Sequence, residues 1–244
     1  MAAVALCAAF TSCSKSVDLY DQGAVEANDV NQIYEAYNQA FIKTFGQPAP
    51  DQDWGFGPSA KAMTRDGESD TPVDWDVRVI AEDLNASALD AAAASSGLNE
   101  SDWDFNDVVF DVKFIDETSA WVKIVCAGGV LPLYVAGHEV HQELGGTLNS
   151  NGQYDIIGMS VACTPFRVDG ISRSNNGRDI KVEVKRPLSS GTEVLLELRA
   201  DTGLPAAKIA VSANFTPCAE REDIRKPYPN FTKWVSKQVD SFYN

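Results

Sequence analysis

From Val73 onward, apolar and polar residues alternate, and this change of period constrains the fold more than any other feature of the chain. In VDWDVRVIA, Val73, Trp75, Val77 and Val79 alternate with Asp74, Asp76 and Arg78, so an extended segment shows one apolar and one polar face. The pattern returns in VVFDVKFI, where Val108, Phe110, Val112 and Phe114 share a face. It returns again in AWVKIVCA, joined to the previous run by a hairpin at Asp116-Glu117-Thr118-Ser119. LPLYVA, DIIGMSVA, DIKVEVKR, EVLLELRA and AAKIAVSA carry further strand signals. Gly128-Gly129, Asn151-Gly152, Asn176-Gly177 and Ser190-Gly191 separate them as turns. No helical run alternates with the strands, so a parallel βαβ sheet is excluded. About eight short strands so punctuated predict a mainly β fold, an antiparallel, jelly-roll-like β-sandwich.

Two helical patterns flank the strands. Val30, Ile33, Tyr34, Tyr37, Phe41 and Phe45 recur at three- and four-residue spacing, which predicts a helix from about Asp29 to Phe45. Gly46 supplies its stop and Pro48 prevents continuation. Residues 46–72 are rich in Gly, Pro, Asp and Ser and read as a linker, with Trp54 and Phe56 as pins to the domain. The Ala-rich stretch 86–99 reads as a loop or short helix. At the other end, NFTKWVSKQVDSFY predicts a helix capped by Asn230, with Phe231, Trp234, Val235 and Val239 along one side. Both helices are expected at the edges of the sandwich. With 244 residues, 44% of them hydrophobic, the chain has enough material for that core.

The run MAAVALCAAFTSC is too short to span a bilayer but fits the apolar region of a signal peptide, closing on a lipobox-like Phe10-Thr11-Ser12-Cys13. A basic n-region is missing, and Phe10 stands where Leu is more usual. The expected organisation is a signal peptide at 1–12, a lipidated tether at 13–28 starting from acylated Cys13, a helix and linker at 29–72, and the sandwich with its C-terminal helix at 73–244. That places the protein in the cell envelope, held to the outer membrane by its lipid alone, and either periplasmic or surface-exposed. Cys126, Cys163 and Cys218 then remain, in apolar or strand-like surroundings; three thiols cannot all pair within one chain, and buried free thiols are expected. The formal net charge of −15 repels phosphate backbones and anionic lipid, and no basic cluster offsets it, so nucleic acid is excluded as a partner. Cations are the natural small partners of such a surface.

The chemically loudest segment is Asp102-Trp103-Asp104-Phe105-Asn106-Asp107. Oxygen side chains on every second residue let a curved loop aim them at one point, and a hard cation such as Ca²⁺ wants about six to eight oxygens. Asp102, Asp104 and Asn106 match the opening ligands of an EF-hand loop. The match then ends: Asp107 replaces the turn-making glycine, Lys113 stands where the bidentate glutamate belongs, and a strand follows. Further ligands must therefore come from elsewhere, and Glu82 and Asp83 at the end of the first strand are the natural suppliers. The competing reading is a solvated strand end with Asx side chains capping turns.

VRVIAEDL followed by DWDFNDVVFDV resembles the LruC-domain lipoproteins of Bacteroidetes-type bacteria, a family of largely unknown function. GHEVHQELG at 137–145, the C-terminal AAKIAVSANFTPCAEREDIRKPYPNFTKWV, the lipobox, the helix ending AFIKTFG and Trp54-Gly55-Phe56 extend the resemblance over nearly the whole chain. It implies a β-sandwich-like extracellular module with a calcium site. The acidic positions it matches are Glu82, Asp83, Asp104, Asn106 and Asp107, and the Ala-rich insertion at 86–99 separates the two halves of the motif.

Other signals carry less chemistry. His138-Glu139-Val140-His141 lacks the four-residue spacing of a zinc-protease helix, and these are the only two histidines, so a structural role is expected. No Gly-x-Ser-x-Gly elbow is present, which leaves a nucleophilic triad without support. Glycoside hydrolysis needs only two carboxylates, which an acidic chain cannot fail to contain, and Trp54, Trp75 and Trp103 read as core or loop-pinning residues rather than sugar platforms. The resulting expectation is a non-catalytic, calcium-stabilised surface module for adhesion, assembly or contact with a glycan or surface protein. The alternatives are a calcium-dependent enzyme acting on glycans or peptides, and a structural subunit of a surface fibre.

Overall fold

In the computed structural model the described residues are 15–55, 74–85 and 102–243, with side chains from residue 27 onward. Helix α1 (Lys15–Phe45) starts well before the predicted Asp29, so the stretch read as a polar tether is helical from Lys15. The apolar stripe that marks a helix in the sequence starts only at Val30. Along it Tyr37, Phe41 and Phe45 are buried. Gly46 ends the helix in a left-handed conformation (φ 88°), its N–H closing on Ile42 O at 2.8 Å. Among the described residues, no helix is long and apolar enough to cross a membrane.

The strands are β1 (Val77–Ala81), β2 (Val108–Phe114), β3 (Ser119–Cys126), β4 (Leu133–Val135), β5 (His138–Glu139), β6 (Phe166–Asp169), β7 (Val182–Pro187), β8 (Glu193–Glu197) and β9 (Lys208–Ser212). They form two antiparallel sheets, one in the order β6-β3-β2-β1-β9 and one in the order β5-β4-β7-β8. The fold is thus the mainly β sandwich that the periodicity implies. Its β1, β2 and β3 lie side by side as a meander, where a jelly roll would send alternate strands to opposite sheets. Trp54 pins the segment after α1, with no exposed surface, as its position in the linker implied; Phe56 lies outside the described residues, as do 86–99.

The polar face of β1 and β2 is not wet. All five residues of β1 are buried, because the C-terminal segment covers the face that alternation assigned to solvent. Arg78 sits opposite Asp111 in the strand register and pairs with it in two bonds of 2.7 and 2.9 Å. Its third bond goes to the carbonyl of Phe215 at 2.6 Å, and Phe215 packs against Tyr228, Phe242 and Tyr243.

Two predicted elements are corrected. DIIGMSVA forms no strand beyond a bridge between Ala127 and Ile157, and Ile156, Met159 and Val161 are exposed. The segment meets the end of β3 through Val125 and Ala127, while Ser119–Val122 of β3 pair with β6, a segment whose signal was too short to read. The C-terminal helix is only Phe231–Val235, and Asn230 makes no side-chain cap. The chain reverses at Lys237 (φ 54°), which returns Phe242 to within 4.8 Å of Trp234 and 5.7 Å of Phe215. A continuous helix would have carried Phe242 about 16 Å beyond Phe231, whereas their rings lie 5.0 Å apart.

Candidate metal centre

β1 delivers Glu82 and Asp83 directly from Ala81, and a bridge between Ala81 and Asn106 ties the acidic loop alongside. In that loop Trp103 (φ 56°) and Phe105 (φ 54°) are left-handed, alternating with Asp102, Asp104 and Asn106. A non-glycine residue in that region costs roughly 1–2 kcal/mol. Packing offsets the cost. Trp103 lies 5.2–5.8 Å from Tyr37, Phe41 and Phe45, and Phe105 lies 5.6 Å from Phe231. Losing such a buried aromatic costs about 3–5 kcal/mol, so burial of the two rings wins and holds the curl. With the rings in the core, the acidic residues between them gather on the other side.

Glu82, Asp102 and Asp104 each offer a carboxylate oxygen within 4.8 Å of the others, a group that can hold a metal ion. Glu82 and Asp104 are buried (1% and 2% exposed) and Asp102 is half-buried. Glu82 accepts the Phe105 N–H at 2.7 Å. Asp104 accepts the N–H of Arg221 at 2.7 Å, the N–H of Asn106 at 3.1 Å and the Asn106 side-chain amide at 2.9 Å. Burial first, and then the charges of Asp104 and Asp102, hold Glu82 well above the ordinary carboxylate range. Burial and the Asp102 charge push Asp104 up to about 7. Asp102 and Asp107 are raised too, each chiefly by burial. A cluster so placed either takes up protons or takes up a cation.

The donors favour a hard cation. All three are carboxylates, the ligands that calcium and magnesium take. Cys126 and Cys218 lie close enough to feel Asp104, but burial, followed by that charge, pushes both thiols up to about 12. At neutral pH both are therefore protonated thiols.

Of the six residues that the sequence proposed, three converge. Asn106 supports Asp104 through its amide, while Asp83 and Asp107 hold each other, the Asp83 N–H donating to Asp107 Oδ2 at 2.8 Å. Cys13 lies outside the described residues. Glu220 was missed. Its carboxyl is raised by burial and then by Asp102, which puts it at the rim of the cluster. The only sequence trace was the charge run Glu220-Arg221-Glu222-Asp223, far along the chain.

Asn106 Oδ1 is buried with no hydrogen-bond partner among the described residues. A Cβ on Gly128 would lie 2.0 Å from that oxygen and 2.7 Å from Asn106 O, while the Gly128 N–H donates to Asn106 O at 3.0 Å. Gly128→Ala therefore cannot be absorbed by a flexible side chain, since backbone stands in the way. The substitution is expected to cost about 2–3 kcal/mol in urea denaturation, and to weaken metal binding by moving Asn106 off Asp104. An unchanged midpoint would show that the loop yields freely.

The histidines are structural, as expected. His141 has no exposed surface, stacks on Tyr154 and bonds Glu139 Oε1 and Gly129 O at 2.8 Å each. His138 stacks on Phe166 and bonds Glu143 at 2.8 Å. Cys126, Cys163 and Cys218 are buried free thiols. Comparison with protein-family models, with curated proteins and with solved structures finds no match.

Proposed function

We propose that the chain is a non-catalytic, calcium-stabilised module of a lipid-anchored cell-envelope protein of the LruC-domain type, serving adhesion, surface assembly or contact with a glycan or surface protein. One observation carries the calcium reading: Glu82, Asp102 and Asp104 bring carboxylate oxygens within 4.8 Å of one another at a largely buried point. An ion there ties the end of β1 to the loop before β2, with Asn106, Asp83, Asp107 and Glu220 in support. The envelope address rests on the lipobox-like run at Cys13 and on the resemblance. The enzyme alternative is disfavoured because Glu82 and Asp104, at 1% and 2% exposed, present no open face to a polymeric substrate.

Calorimetric titration of the full chain with CaCl₂, and separately with MgCl₂, tests this reading. Saturable calcium binding is expected with a Kd between about 1 µM and 1 mM, the span from sensor to extracellular sites. Glu82→Gln/Asp104→Asn should weaken it at least about tenfold, since two of the charged ligands are lost. Absence of binding in the unsubstituted protein would reduce the loop to a protonated acidic turn.

A further inference from the structure

A second site lies on the opposite chemical footing, in a cavity of about 510 Å³ built from the segment before β7, the end of β8 with the loop after it, and the start of β9. Its charged lining is Arg178, Arg199 and Lys208 against Asp179, Glu197 and Asp201. The signs balance on paper, but their placement does not. Lys208 is 2% exposed and Arg178 half-buried, whereas Asp179, Glu197 and Asp201 are exposed. Charges in solvent are screened, while a desolvated cation acts at full strength on whatever enters.

Both inner cations are also short of partners. Lys208 Nζ makes one hydrogen bond, to the Ile180 carbonyl at 2.8 Å, and no carboxylate closes an ion pair with it among the described residues. An ammonium has three donors, so two are left for the cavity. Arg178 uses only its Nε–H, on Asn175 O at 3.0 Å. Its guanidinium lies across Gly55, where a Cβ would stand 3.0 Å from Cζ and Nη2. Arg199 covers the ring of Tyr34 at 4.0 Å, which fixes the third cation at the rim. Asp179 is already committed to its own loop through Ser172 N and Asn175 Nδ2. Burial outweighs the charges of Glu197, Asp179 and Asp201 and brings Lys208 down to about 8, as expected of an ammonium held out of water with no carboxylate in direct contact.

We infer that this cavity binds a small carboxylate-bearing ligand, its carboxylate seated on Lys208 and Arg178 and its hydroxyl or ammonium donors facing Glu197 and Asp201. A carboxylate supplies the acceptors that the two cations lack, and Arg178 presents a planar fork to it. A natural fold keeps a buried, incompletely bonded lysine at a cost in stability, and binding is the compensation. This inference stands independently of the calcium site.

The test is NMR titration of the isotope-labelled full chain with sodium acetate, D-galacturonate and D-galactose, against sodium chloride of matched ionic strength. The Lys208 Cε–Hε signal is identified by its loss in Lys208→Met. It is expected to shift saturably with both carboxylates and not with galactose, and galacturonate should bind at least about threefold tighter than acetate through its hydroxyls. Gly55→Ala, whose Cβ would crowd the Arg178 guanidinium at 3.0 Å, should weaken both while the protein stays folded. Lys208→Met should melt at the same temperature or higher, since the substitution removes a lone buried charge. The inference is overturned if no carboxylate shifts the signal beyond the chloride control, if galactose shifts it equally, or if Lys208→Met melts markedly lower, which would make the lysine a structural strut.

Discussion

In EDTA, the melting temperature of this protein should lose a component as pH rises from about 4 to above 7, and calcium should restore it. Asp104 titrates near 3.8 when unfolded and at about 7 when folded, so between those values the folded state holds the extra proton. Stability from a group raised in this way is fully present below its unfolded value and is lost as pH climbs through its folded value. Glu82 and Asp107 are raised in the same direction, again chiefly by burial, and extend the loss to higher pH. Calcium competes for the same oxygens, so it adds nothing at pH 4 and most at pH 8. At a free concentration of 100 times Kd the ion contributes about 2.7 kcal/mol, or a rise of roughly 5–10 °C for a chain of this size. The readout is the gap between the EDTA and calcium curves at each pH, because every other titrating group cancels. A gap that does not open with pH would remove the cluster from the calcium reading.

Asp111→Ala should be among the most damaging single substitutions in the sheet. Arg78 and Asp111 are 9% and 5% exposed and meet in a two-bond pair. Removing the carboxylate strands a buried guanidinium, and breaking such a pair from one side costs about 3–5 kcal/mol. In urea or thermal denaturation that amounts to a fall of about 10 °C. The Phe215 carbonyl still accepts one bond from Arg78, so the C-terminal aromatic segment is expected to loosen first. Replacing both partners, as Arg78→Met/Asp111→Leu, should recover most of the loss, since the pair is expensive to desolvate. A single-variant loss under about 1 kcal/mol would mean that water reaches the pair and screens it as at a surface.

What depends on neighbours within a few residues was legible in the sequence. Period-two alternation placed β1, β2, β3, β7, β8 and β9, the helical stripe placed the buried part of α1, and the spacing of Asp102, Asp104 and Asn106 marked the loop that curls. Local pattern misjudged DIIGMSVA because alternation says that a segment can be a strand, not how much of a partner strand is left for it to pair with. It overextended the C-terminal helix because Phe231, Trp234, Val235 and Val239 keep a helical spacing whether the chain runs on or folds back. Tertiary structure alone decided the rest. It buried Arg78 and Asp111 on a face that alternation had given to water, brought Glu220 to carboxylates more than a hundred residues away, and left Lys208 in a cavity with one hydrogen bond. The division is physical: periodicity records which side of a segment is apolar, whereas desolvation and mutual charge depend on distances that only the closed fold sets.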